Sequence, residues 1–298
     1  MSNLPMDADI LPPSDDRIFK VLLTHPDAKR VLIDIISVVI DQNVIDVKIR
    51  GNEVPVMDIN EKNERFDVNC TIDSGDQVDV EMHSCRQDEI GSEHTNFINK
   101  YVYFLTDLHS SQKSKKVIYR NLVKTYQITF CMYNILPSTA DFVNRFSLRT
   151  ENNLQLTDQI NIIIIELGKL NKALKKPVDE LTSFEKWSLF LRYAQEPMQR
   201  KLINDIIKCK EEIGMAAALL QEISQDEHER ARIRSRKMYE MDQYSNLHTS
   251  ELRGEIRGEA KGRERGRTEG MIEGRDEIIK LLEKGYSLEE IKKMLEIN

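Results

Sequence analysis

Residues 65–83 read Arg65-Phe66-Asp67-Val68-Asn69-Cys70-Thr71-Ile72, then Asp73-Ser74-Gly75-Asp76, then Gln77-Val78-Asp79-Val80-Glu81-Met82-His83. In both flanking runs the even positions are apolar and the odd ones polar, the period of two that a strand with one greasy face requires. The Asp-Ser-Gly-Asp between them is a turn signal, so the stretch predicts a hairpin with one apolar and one polar face. Any even pairing register sets Asp67, Glu81 and His83 on the polar face. Where paired residue numbers sum to 148, Asp67 lies opposite Glu81; where they sum to 150, it lies opposite His83 with Glu81 diagonal. Two carboxylates this close repel, and a bound Mg²⁺ would relieve the repulsion with the oxygen ligands it prefers. Such an ion could polarise a phosphodiester and acidify an attacking water. A solvated outer face shows the same alternation, so spacing alone leaves both readings open.

Working outward, residues 1–13 read as a disordered tail closed by Leu11-Pro12-Pro13. Ser14 can cap a helix through Ile18, Phe19, Val21 and Leu22. A second helix starts at Pro26 and turns Val31, Ile35, Val38 and Val39 inward. Period two returns at 44–49, a helix follows at 92–109, and strands at 126–132 and 160–167 complete an α/β core over 14–170. Residues 171–250 read as a helical region, and its single tryptophan, Trp187, reads as core. Glycines then recur at every fourth position from Gly254 to Gly274, among Glu, Arg and Lys. Each costs a helix about 1 kcal/mol relative to alanine. A four-residue step also drifts about 40° per repeat around the axis. The segment 251–275 therefore reads as a long exposed or self-associating helix, or as a flexible tether. Residues 276–298 read as a helical hairpin turned at Gly285, with a capping box from Ser287 to Glu290. Lacking a third helix or a basic reading face, that hairpin suits packing or self-association better than DNA reading.

The 298 residues carry 43 Lys+Arg against 50 Asp+Glu, a net charge of −7, enough chain for roughly two domains. The longest apolar run, Ile162–Ile165, is far short of a membrane span, and the first residues carry no export pattern. Four cysteines without metal-type spacing fit a reduced, cytoplasmic protein. Between Lys100 and Phe130 the overall sign reverses, with six basic residues against the one acid Asp107. That is either a solvated helix face or a phosphate-facing patch beside a catalytic site.

The order helix, Asp on one strand, Glu-x-His on the next, then helix resembles the PD-(D/E)XK nuclease superfamily. The match sharpens to its recombination-promoting nuclease/transposase branch. Ser14-Asp15-Asp16-Arg17-Ile18-Phe19-Lys20, the hairpin itself, Asn99-Lys100-Tyr101-Val102-Tyr103, Lys124–Ile128 and Ile165-Glu166-Leu167-Gly168-Lys169 carry it. The resemblance covers nearly everything after residue 14. It implies a restriction-endonuclease-like core, a mixed central sheet flanked by helices, followed by an all-helical C-terminal region. It also implies a metal-dependent DNA endonuclease tied to mobile elements, recombination or defence. Asp67 and Glu81 would hold Mg²⁺, for which Mn²⁺ or Ca²⁺ could substitute, and Asp16 would support the ion through water. His83 stands where the family usually has Gln or Lys, so the alternative is a catalytically impaired fold kept for DNA binding or self-association. Lys100, Tyr101 and Lys124 are the implied phosphate contacts. The expected partners are DNA and further copies of the chain through its C-terminal helices, with no membrane.

Overall fold

The computed structural model describes residues 3–50, 68–84, 94–112 and 118–294. Helices α1 (Asp16–Thr24) and α2 (Lys29–Ile40) lead into strands β1 (Val47–Ile49), β2 (Val68–Ile72) and β3 (Gln77–His83). Helix α3 (His94–Ser110) is followed by β4 (Thr125–Cys131), β5 (Val143–Ser147) and β6 (Ile160–Glu166). The strands form one mixed sheet in the order β1-β2-β3-β4-β6-β5, with β3, β4 and β6 mutually parallel and the outer pairs antiparallel.

The hairpin forms as its alternation predicts. Val68 pairs with Val80 and Asn69 with Asp79, which is the 148 register. Gly75, at φ 90°, supplies the left-handed residue that closes the turn. What alternation could not foretell is that the polar face is not an outer face. Parallel strands need cover on both sides. Even-numbered residues of β3 and β4 pack under α1, where Phe19 meets Phe130 at 5.7 Å between ring centroids. The odd-numbered ones lie under α3, whose Tyr101, Phe104, Leu105 and Leu108 are buried. Asn69, Gln77, Asp79, Glu81, Thr125, Gln127 and Thr129 therefore form a buried polar seam through the molecule.

Helix α1 is capped by Asp15, not by Ser14: the Asp15 carboxylate accepts from the amides of Arg17 and Ile18. Strand β5 has no counterpart in the sequence reading, because Val143-Asn144-Arg145-Phe146-Ser147 is a half-exposed edge strand with no clean alternation.

Two domain expectations are corrected. Residues 3–13 are not a loose tail: Leu4, Ile10 and Leu11 are buried. The Asn204 side chain bonds both the amide and the carbonyl of Leu4, at 2.9 and 3.0 Å, and Ser224 takes the Leu11 amide. Three apolar side chains are enough to seat the segment once an apolar partner surface exists, and that surface comes from the far end of the chain. The helices α4 (Ser183–Tyr193), α5 (Arg200–Cys209) and α6 (Glu211–Gln225) also belong to the first compact unit, Met1–Arg230. Helices α4 and α6 pack on α2, and Trp187 is core, its indole donating to Asp34 at 2.6 Å. The boundary thus falls at Arg230, not at 170 or 250.

The second unit, Ala231–Asn298, consists of the rest of α7 (Glu227–Glu283) and α8 (Leu288–Met294). The glycine repeat lies inside α7, so of the two readings of 251–275 the helix is the one found. Gly285 (φ 88°) ends it, and Ser287 and Glu290 form the expected capping box. Among the described residues no helix is long and apolar enough to cross a membrane.

Candidate active site

The C-terminal half of β3 delivers Glu81 and His83 to one face, two residues apart. Glu81 is 4% exposed and sits beside Thr129 of β4, whose buried hydroxyl has no hydrogen-bond partner. From α3, Lys100 brings its ammonium to 3.7 Å from Glu81 Oε2 while leaving about half of its own side chain in solvent (47%). The same ammonium lies 5.6 Å over the Tyr101 ring and 5.0 Å over that of Phe104, which fix its direction. Asp16, the first residue of α1, approaches from the helix-covered side of the sheet edge, near enough for its carboxylate to act on the His83 ring. Tyr133, just after β4, closes the far side, its ring edge-on to His83 at 5.4 Å.

Burial first, and the Lys100 ammonium second, hold His83 down to about 4 from an ordinary 6.5, with Asp16 pulling the other way. The ring is therefore neutral near pH 7, with one nitrogen to donate and one to accept or to ligate. A stability prediction follows with a definite sign. The unfolded chain takes up this proton near 6.5, whereas the folded chain resists down to about 4. Within that window the unfolded state binds more protons, so stability is full above it and falls as the pH drops through it. The loss should approach roughly 3 kcal/mol at the acid end, and burial pushes His109 the same way. Urea unfolding of a His83→Gln variant in metal-free buffer should show a flatter profile between pH 6.5 and 4 than the parent; an equally steep one would assign the acid loss elsewhere.

Glu81, His83, Lys100 and Asp16 are thus brought together, and three other expected residues are not. Asp67 lies outside the described residues, as do Lys113, Lys115 and Lys116 of the basic segment. Tyr101 is 1% exposed, so its hydroxyl is inside the protein and its role is to carry Lys100. Lys124 precedes the other end of β4, where Thr125 pairs with Gln77, and is held by Asp158 at 2.7 Å. That is four to five strand residues, roughly 15 Å, from the level of Glu81.

Two features escaped the sequence reading. Asp79, fully buried, lies in the same row of alternation as Glu81 and accepts from Gln127 at 2.9 Å. Its parity was visible in Val78-Asp79-Val80; its burial was not. Glu166, level with Cys131 and through it with His83, is also fully buried. It accepts from the Ile135 and Leu136 amides, the Asn144 amide and the Lys169 ammonium, at 2.7, 2.9, 3.2 and 2.6 Å. This cradle fixes the loop that starts at Tyr133.

The donor chemistry suits a hard divalent cation, being carboxylate oxygen with one neutral imidazole at hand. Among the described residues no three His, Cys, Asp or Glu side chains cluster so as to hold one, and the remaining carboxylate that the sequence offers, Asp67, lies outside them.

No curated protein and no solved structure matches the chain. A family model described as PD-(D/E)XK nuclease family transposase matches residues 13–250, which spans the whole sheet, the Asp16–His83 edge and α4–α6. With a mixed six-stranded sheet between helices and an acidic edge on its central hairpin, the chain belongs to the PD-(D/E)XK nuclease family of transposases.

Proposed function

We propose that this protein is a divalent-metal-dependent endonuclease that hydrolyses DNA phosphodiester bonds, in the service of a mobile element, recombination or defence. The observation that carries the reading is Glu81, a carboxylate kept 4% exposed at a sheet edge with Lys100, His83 and Asp16 around it. Asp67 and Glu81 hold the metal, Mg²⁺ by preference, and Asp16 supports it through water. Bound there, the ion supplies a polarised phosphoryl oxygen and a water of lowered pKa. Everything else is done by the chain. Lys100, half in solvent, meets the phosphate and balances charge that builds on it. His83, neutral, donates one hydrogen bond to a phosphate oxygen or to the attacking water, in place of the amide or ammonium usual in the family. The Tyr101 and Phe104 rings hold Lys100 in direction, and burial of the seam excludes bulk water from behind the site. The C-terminal helices join copies of the chain.

One observation favours a second reading, a DNA-binding module that cuts poorly. A neutral imidazole brings no positive charge where a lysine would, and Glu81 already has a cation at 3.7 Å. Supercoiled plasmid separates the two. Nicking with Mg²⁺ or Mn²⁺, abolished by chelator, is the expected result. Retention of DNA without nicking, weakening steeply with added salt, would establish the binding module instead. Neither nicking nor retention would remove both.

A further inference from the structure

We infer that α7 pairs with α7 of a second copy in antiparallel orientation, centred near Gly254. This deepens the reading of the C-terminal helices as self-associating and rests on it. The helix runs for 57 residues, about 85 Å, as a single rod. Nothing from its own chain comes within 4 Å of where a Cβ would stand on any of the six repeat glycines. Met238, Tyr239, Leu252, Ile256, Met271 and Ile272 are each more than half exposed. A lone rod with six glycines and an apolar row in water needs a covering surface.

The charges say which surface. Residues 230–239 carry five basic side chains and no acid, and residues 240–252 three acids and no Lys or Arg. Residues 253–267 carry six basic against three acidic, and residues 269–277 four acidic against one basic. The blocks thus alternate in sign along the helix and are of similar length. Two copies aligned in parallel set like on like in every block. Turned antiparallel about Gly254, each positive block faces a negative one: 230–239 meets 269–277, and 253–267 meets 240–252. The apolar residues agree with that register, since Leu252 falls beside Ile256 of the other copy. Met238 falls beside Gly270, where the absence of a side chain leaves room for it.

The test uses the full-length chain with Cys85 and Cys209 replaced by serine. Light scattering gives the mass, and chains carrying Met238→Cys are mixed with chains carrying Gly270→Cys under mild oxidation. A dimer with a 238–270 cross-link is the expected result. A dimer that links 238 to 238 overturns the antiparallel register while leaving self-association standing; a monomer overturns both. Charge reversal gives an independent reading. Arg263→Glu, Arg265→Glu and Arg267→Glu together should raise the dimer Kd at least 30-fold, and adding Glu240→Lys, Asp242→Lys and Glu251→Lys in the same chain should restore it. Unchanged affinity in the first variant, or no recovery in the second, would also overturn the inference. Plasmid nicking is scored separately, so a failure here does not count against the nuclease site.

Discussion

Exchange of Glu81 for glutamine is expected to lower plasmid nicking on the order of 10³-fold, about 4 kcal/mol of transition-state stabilisation. Glutamine keeps the volume of the side chain in a site only 4% exposed, so the packing under α3 stays intact. What is lost is the negative charge that would bind the ion. The ion pair with Lys100 also disappears, but with that ammonium 47% exposed at 3.7 Å its loss costs the fold well under 1 kcal/mol. The variant should therefore unfold within a few degrees of the parent and lose calorimetric Mn²⁺ binding together with activity. Lys100→Met offers the contrast: a fall of about tenfold, with metal binding retained, because only a phosphate contact goes. Equal nicking by parent and Glu81→Gln would mean that the cutting comes from a contaminant or from another site.

The physical reason Glu81 was legible, and Lys124 misleading, is the same. Alternation is a local signal with a period of two, and it fixes the face of every residue on a strand, whatever the strand packs against. Glu81 and His83 could thus be assigned to one side without knowing the fold, and the turn at Asp73–Asp76 limited the register to two choices. Lys124 belonged to a basic segment that is contiguous in sequence, but position along a strand depends on the parallel pairing of β3 with β4. That pairing sets Thr125 against Gln77 and sends Lys124 to the opposite end. Burial was similarly hidden. Asp79 and Gln127 look like outward residues until α3 closes over them, and Leu4 looks like part of a tail until Asn204 and Ser224 arrive from some 200 residues away. The glycine repeat shows the reverse case. Propensity argued against a helix, whereas i,i+4 pairs such as Glu259–Arg263 and Arg265–Glu269 argue for one, and the helix is what forms.

Glu166 should prove the most costly polar residue to remove. Glu166→Ala is expected to destabilise the protein by about 3–5 kcal/mol, read as a lower urea midpoint at unchanged slope. Its carboxylate, with no exposure, satisfies two backbone amides of the loop after β4 and the Lys169 ammonium, itself only 9% exposed. Truncation leaves that ammonium and both amides buried without an acceptor, and unpaired donors are what make such sites expensive. Two further variants separate charge from hydrogen bonding. Glu166→Gln keeps an acceptor for the amides but not the ion pair, so it should lose roughly half as much. The paired change Glu166→Met with Lys169→Met removes both charges and should recover part of the loss. A double variant as unstable as Glu166→Ala would show that the amides, not the charges, dominate. Activity supplies a second reading, since the loop begins at Tyr133, whose ring is 5.4 Å from that of His83. At a temperature where Glu166→Gln remains folded, nicking should still fall several-fold, because the wall that orients His83 has lost its anchor. Nicking at the parental rate would confine Glu166 to holding the sheet edge together.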